Sequence, residues 1–369
     1  MNKHEVVTNL KREIWAVIDI GTVTARLLIA RVKSSQENKL LLAGYAANSA
    51  ESPAALEACS YQQGSSESQE LDTSGALEAG GMCIEELFRA VEICNLGLGV
   101  ATTKTFSAGA LLRIEQTLQK FAGRIKDFGV RMPDRVIVFA TSATRDAQNS
   151  YLLEEIILKL GMRLEIISGH DEASYSFRGA CFSSAASNQL VLDVGGGSSE
   201  FAFGSEGQLK LSHSFDVGAR RVTELFFKHD PVLPAELESA RAWIEEQFAS
   251  FFARLSSQGF SCEQLVAVAG SATSVAAMLQ ELSPYDPQKV HGYCIRKEDL
   301  DDLLAFVATL SCAKREELVG LQPQRAGVIV GGVLVLSCAL AASGLQSMAV
   351  SESDIMQGIL LSRVLCMHS

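Results

Sequence analysis

No two of the nine cysteines, which run from Cys59 to Cys366, form a C-x-x-C pair, and their total is odd. That pattern argues against a disulfide framework and a zinc cluster and points to a reducing, cytoplasmic setting. An excess of positive charge is missing too. The formal charge of −11 disfavours duplex nucleic acid and anionic membranes as partners, so a polyanionic ligand would need a cationic pocket of its own. A secretion signal is lacking: MNKHEVVTNLKREIWAVIDIG carries charge up to Arg12 and Glu13 and then enters a β-like apolar run, so no export is expected. Charge is absent altogether from Ala326 to Ser351. The glycines and serines of this stretch, with Gln346, a break at Gly344 and a strand-like Ser347–Val350, predict a buried helix leading into a strand, not a membrane span.

What is present fits a soluble α/β protein. A chain of 369 residues with 47% hydrophobic composition predicts two domains with filled cores. Ile14–Val32 reads as strand, Asp-Gly-Thr turn and strand, a hairpin with a polar tip. Residues 46–81 are rich in Ser, Glu, Gln, Ala and Gly and lack the apolar density of a core, which predicts an acidic, mobile insertion. A helical pattern covers Phe106–Val130, a buried strand Arg135–Ala140, and a helix begins again near Thr144. Glu165–Ser168, Gln189–Val194, Glu200–Phe203 and Leu265–Ala269 are further strand candidates, with Pro234–Leu255 helical. AVIDIGTVTARLLIA and LVLDVGGGSSEFAFG repeat one strand-turn-strand plan, which predicts two similarly folded domains whose turn tips converge on one cleft.

Around Asp193, the run Gly195, Gly196, Gly197, Ser198, Ser199 lets backbone N–H groups approach phosphate oxygens without interference from Cβ atoms. Asp193 and Glu200 beside those donors form the kind of carboxylate pair that holds Mg²⁺. The first tip follows the same logic: Thr22 and Thr24 offer hydroxyls and Asp19 can hold metal-bound water. ATSATRDAQN passes from a strand into a helix start, where Arg145 can clamp a phosphate. In ISGHDEA, a strand delivers His170, Asp171 and Glu172 to a helix start, where a carboxylate can activate water. AGSATS can receive a phosphate or ribose at another helix start. Each motif alone also reads as an ordinary turn or capped helix, and Arg325 reads as an interfacial charge.

In this order the motifs resemble the Ppx/GppA phosphatases, a family of exopolyphosphatases and guanosine-pentaphosphate phosphohydrolases in the actin-like ATPase superfamily. The resemblance runs from Ile14 to roughly Leu361 through AVIDIGTVTARLL, ATSATRDAQN, IISGHDEA, LDVGGGSSE and AVAGSATSVA, with RAGVIVGG and VSESDIMQGIL closing it. It implies two actin-like (ribonuclease H-like) domains with a phosphate-binding cleft between them. It also implies hydrolysis of terminal phosphoanhydride bonds of polyphosphate or guanosine pentaphosphate with Mg²⁺ or Mn²⁺. Carried over by position, Glu172 activates water and Asp19, Asp193 and Glu200 serve the metal. Phosphate contacts fall to Gly21, Thr22, Thr24, Ser142, Arg145, Gly195, Gly196, Gly197, Ser198, Gly270 and Ser271.

The chain departs from the family pattern with Val23 for Asn, Asp171 for the first Glu of a pair, and Gly327 for Asp. Helical C-terminal domains of longer relatives and their grip on long polyphosphate are not seen. The expected organisation is a tail over 1–13, a first domain over 14–164 and a second over 165–369, its last helix packing back on the first. A two-fold homodimer is the default assembly. Two other functions compete: a nucleotide or alarmone sensor without turnover, suggested by Val23 and Asp171, and a small-molecule kinase of the same superfamily.

Overall fold

The computed structural model describes residues 14–34, 76–79, 82–181, 188–205 and 207–368. The apolar run before Asp19 forms β1 (Ile14–Ile20), antiparallel to β2 (Thr24–Ser34), with Asp19 opposite Arg26 in register. β4 (Met82–Ile93) pairs antiparallel with β2 and carries β3 (Ala76–Ala79) on its outer edge. Beyond β1 come the parallel strands β5 (Val136–Ala140) and β6 (Leu164–Ile166). The 46–81 stretch otherwise lies outside the described residues, but its Ala76–Ala79 portion belongs to the sheet and not to an insertion.

The second sheet repeats the plan. β7 (Asn188–Val194), β8 (Ser199–Ser205) and β9 (Gln208–Phe215) are antiparallel neighbours. β10 (Gln264–Val268) and β12 (Ser347–Val350) continue parallel to β7, and β11 (Cys294–Arg296) closes the edge. The orders β4-β2-β1-β5-β6 and β9-β8-β7-β10-β12 match strand for strand. This is the ribonuclease H-like arrangement of actin-like domains. Asp19 and Asp193 therefore sit near the C-terminal ends of equivalent central strands, where open α/β sheets bind ligands.

The chargeless stretch forms a helix over Ile329–Ser343, ended by Gly344 at φ +75°, and then β12. Every residue from Ile329 to Leu340 is buried, which accounts for apolar side chains on all faces of that helix. No helix among the described residues is long and apolar enough to cross a membrane.

Two helices join the sheets. The Gly169–Ala180 helix lays Ala173, Phe177 and Ala180 against Val191, Ala202 and Val266 of the second sheet. The Ile355–His368 helix lays Met356, Ile359 and Leu360 against Trp15, Val17, Leu28 and Phe139 of the first. They cross backbone to backbone: a Cβ on Gly179 would fall 1.8 Å from the Asp354 carbonyl, and one on Gly358 1.9 Å from that of Tyr175. Only glycine permits that approach.

Candidate phosphate-binding cleft

Both hairpin tips close in the same way. The Gly21 N–H donates to the Thr24 carbonyl at 2.9 Å, and the Gly195 N–H to the Ser198 carbonyl at 3.0 Å. The tips then meet face to face. A Cβ on Gly196 would fall 2.7 Å from Val23 Cγ2 and one on Gly197 2.5 Å from Ser142 Oγ, so these glycines are required by close approach. Val23 is buried in this contact, so the departure from a polar residue serves to pack one tip on the other. Between the tips opens a cleft of about 400 Å³.

The second tip is built to present donors. Its carbonyls face the start of the Ala219–Phe226 helix: Gly195 O accepts from Ala219 N–H at 2.9 Å, and Gly196 O from Arg220 N–H at 2.9 Å. In a planar trans peptide the N–H points opposite the C=O. Holding these carbonyls outward turns the N–H groups of Gly196 and Gly197 inward, a nest suited to an anion.

The cleft brings together Asp19, Gly21, Thr22, Thr24, Glu172, Asp193, Gly195, Gly196, Gly197, Ser198, Gly270 and Ser271 from the residues named above. Three others do not line it. Ser142 stands behind Gly197, and Arg145 Nη1 is engaged 2.8 Å from Glu172 Oε2 and 2.9 Å from the Ile167 carbonyl. Glu200 lies beneath the wall, fully buried, accepting from Ser214 Oγ at 2.6 Å through Oε1 while Oε2 has no partner. Ser271 faces the cleft, but its hydroxyl donates to the Val194 carbonyl at 3.1 Å.

Helix capping separates the neighbouring acids. Ser168 caps the Gly169–Ala180 helix, and exposed Asp171 accepts from its hydroxyl at 2.7 Å. One residue on, Glu172 turns inward and is buried. Burial pushes the Glu172 carboxyl up to about 8, aided by Asp193 and Asp19 and opposed by Arg145. Asp193 rises to about 6, chiefly through burial, although Ser176 Oγ donates to it at 2.8 Å. Asp19 and Glu200 are raised for the same first reason.

Three cleft residues escaped the sequence reading: Arg26, Asp354 and Arg325. Arg26 holds Asp19 through Nε at 2.7 Å and bonds Asp354 through Nη1, tying β2 to the start of the last helix. Arg325 is the third: its guanidinium lies over Gly270, where a Cβ would fall 2.2 Å from Nη1. Burial and Arg26 lower Arg325 to about 10, and no carboxylate among the described residues pairs with it. Its Nε donates to Gln322 Oε1 at 3.0 Å, and a guanidinium that lines the cleft without a carboxylate partner can bind a phosphate oxygen. Ala269, at φ +67°, holds the left-handed turn that sets Gly270 there, a conformation that costs a non-glycine residue about 1–3 kcal/mol.

The donor set suits a hard divalent cation. Among the described residues no three His, Cys, Asp or Glu side chains converge on one point, so such an ion would take one or two carboxylates with water and phosphate oxygens, as Mg²⁺ commonly does. Crowded carboxylates raised by burial are what a cation would relieve.

A two-lobed α/β protein with apposed glycine tips, inward carboxylates and an arginine without a carboxylate partner has the parts of a phosphate-handling protein. The family model described as the Ppx/GppA phosphatase family matches residues 76–366, and the chain belongs to that family. It is 29% identical over 359 residues to a bifunctional 3-dehydroquinate synthase/phosphatase of Fusobacterium nucleatum, covering 95% of this chain and 46% of that protein. The chain thus spans less than half the length of that relative. It is 30% identical over 292 residues to exopolyphosphatase 2 of Mycobacterium tuberculosis, covering 76% of this chain and 89% of that one. The crystal structure of an exopolyphosphatase-like protein superposes with a TM-score of 0.76 at 27% identity, over 96% of this chain and 99% of the other.

Proposed function

We propose that the chain removes the terminal phosphate of polyphosphate, guanosine pentaphosphate or both, releasing orthophosphate. The observation that carries this reading is the placement of buried Glu172 in the same cleft as both glycine tips. The tip N–H groups, Thr22, Thr24 and Arg325 bind the phosphate oxygens, and Glu172 accepts the proton of the attacking water. Arg145 engages Glu172 Oε2, which leaves Oε1 to take that proton. The water oxygen bonds to the terminal phosphorus as the bridging P–O bond breaks, and the shortened chain departs with the bond's electron pair. Mg²⁺ or Mn²⁺, held by Asp193 and Asp19, would neutralise charge on the phosphate oxygens.

Incubation with polyphosphate of defined length and with guanosine pentaphosphate, assayed for free orthophosphate, tests the reading. Time-dependent release from at least one of them is expected. Binding of both without release would replace the hydrolase with a sensor.

A further inference from the structure

The backbone of the Ala219–Phe226 helix secures the carbonyls of Gly195 and Gly196 but leaves the next one, on Gly197. A side chain reaches it: Arg221 Nε donates to Gly197 O at 2.7 Å. The same guanidinium crosses to the first unit, with Nη2 at 2.6 Å from Asp146 Oδ2 and 3.5 Å from Ser142 Oγ. Asp216 stands 3.5 Å from that nitrogen on the near side. The Arg221 side chain is only 11% exposed, so this bridge is shielded from the screening that weakens surface pairs.

We propose that Arg221 is a positioning residue for phosphate binding. The Gly197 carbonyl and the Ser198 N–H belong to one planar peptide and point in opposite directions. Holding the carbonyl outward aims the Ser198 N–H into the cleft that Ser198 lines. The fork geometry of a guanidinium lets one side chain fix that peptide and anchor it to Asp146 together, which an ammonium cannot do. Arg221 thereby locks the donor array of the second unit to the helix start of the first. This inference rests on the phosphate reading of the cleft.

The test is calorimetric binding of inorganic tripolyphosphate to the full chain, with melting temperature and steady-state hydrolysis measured on the same samples. Arg221→Ala is expected to weaken binding roughly tenfold, the scale of one charge-assisted hydrogen bond. KM for tripolyphosphate should rise by a similar factor with kcat little changed, because the aimed N–H serves ground and transition states alike. Arg221→Lys should recover part of the loss. Asp146→Ala should weaken binding as well, and the double variant should bind no worse than Arg221→Ala alone. Unchanged binding by Arg221→Ala, or losses that simply add in the double variant, would overturn the inference. Should Arg221→Ala not fold, unchanged binding by both Arg221→Lys and Asp146→Ala overturns it. Wild type that binds tripolyphosphate but releases orthophosphate from neither polyphosphate nor guanosine pentaphosphate contradicts the hydrolase reading alone, and the binding arms still decide this one. Wild type that does not bind tripolyphosphate overturns this inference, while the hydrolase reading is decided by release from guanosine pentaphosphate.

Discussion

Replacing Glu172 with glutamine separates stability from chemistry. The side chain is buried, and its carboxyl is raised to about 8 by burial, Asp193 and Asp19 against the pull of Arg145. A carboxyl raised on folding contributes stability that is present below its unfolded pKa of about 4.3 and is lost as pH rises to the folded value near 8. A displacement of that size corresponds to a ceiling of about 5 kcal/mol. Glutamine is uncharged and nearly isosteric, so it escapes that loss, and the pull of Arg145 is already contained in the raised value. The balance at pH 8, without metal or phosphate, is a gain of about 1 kcal/mol or more, bounded by that ceiling, or at least about 2 °C in melting temperature. Near pH 5, where folded wild type keeps the proton, the gain should vanish. Loss of the proton acceptor should cut orthophosphate release by about 10²–10⁴-fold. Thermal melts at both pH values, paired with a phosphate-release assay, check this. A variant less stable at pH 8 than wild type, or one that retains full turnover, would refute the reasoning.

Other perturbations follow from the same geometry. Gly197→Ala places a methyl 2.5 Å from Ser142 Oγ and 2.8 Å from Thr22 Oγ1; it should force the tips apart, cost about 1–3 kcal/mol in denaturant melts and weaken tripolyphosphate binding. Gly270→Ala meets only the mobile end of Arg325, 2.2 Å from Nη1, so the fold should survive while KM rises to match that of Arg325→Ala. Gly358→Ala drives a methyl to 1.9 Å from the Tyr175 carbonyl, where no side chain can yield; a loss of about 2 kcal/mol or more is expected by chemical denaturation. Hydrolysis should rise with pH along a limb at or below about 8, because Glu172 must be ionised to accept a proton.

The hairpins at Asp19 and Asp193 were legible because each pairs a β-branched run with a polar tip, a pattern local enough to read along the chain. The buried helix before Gly344 was legible from its lack of charge. β4 was not: in CIEELFRAVEI the charges come too often for a core strand, and the β2 residues it pairs with lie far earlier in the chain, as in Arg31 opposite Glu85. Ser168 was read as the end of a strand, whereas β6 stops at Ile166 and Ser168 caps the next helix. The choice between Asp171 and Glu172 needed a helix face, and that face is set by packing on the second sheet. Arg26, Arg325 and Arg221 act through partners distant in sequence, such as Asp354 and Gly197, so no local signal marks them.

The central claim is that the paired tips and Glu172 release terminal phosphate with the help of a divalent cation. The direct measurement is orthophosphate release from polyphosphate and guanosine pentaphosphate by the wild-type chain, with Mg²⁺, with Mn²⁺ and after chelation. Release from at least one substrate that requires the cation and disappears in Glu172→Gln is predicted. No release from either substrate, or equal release after chelation, would contradict the account.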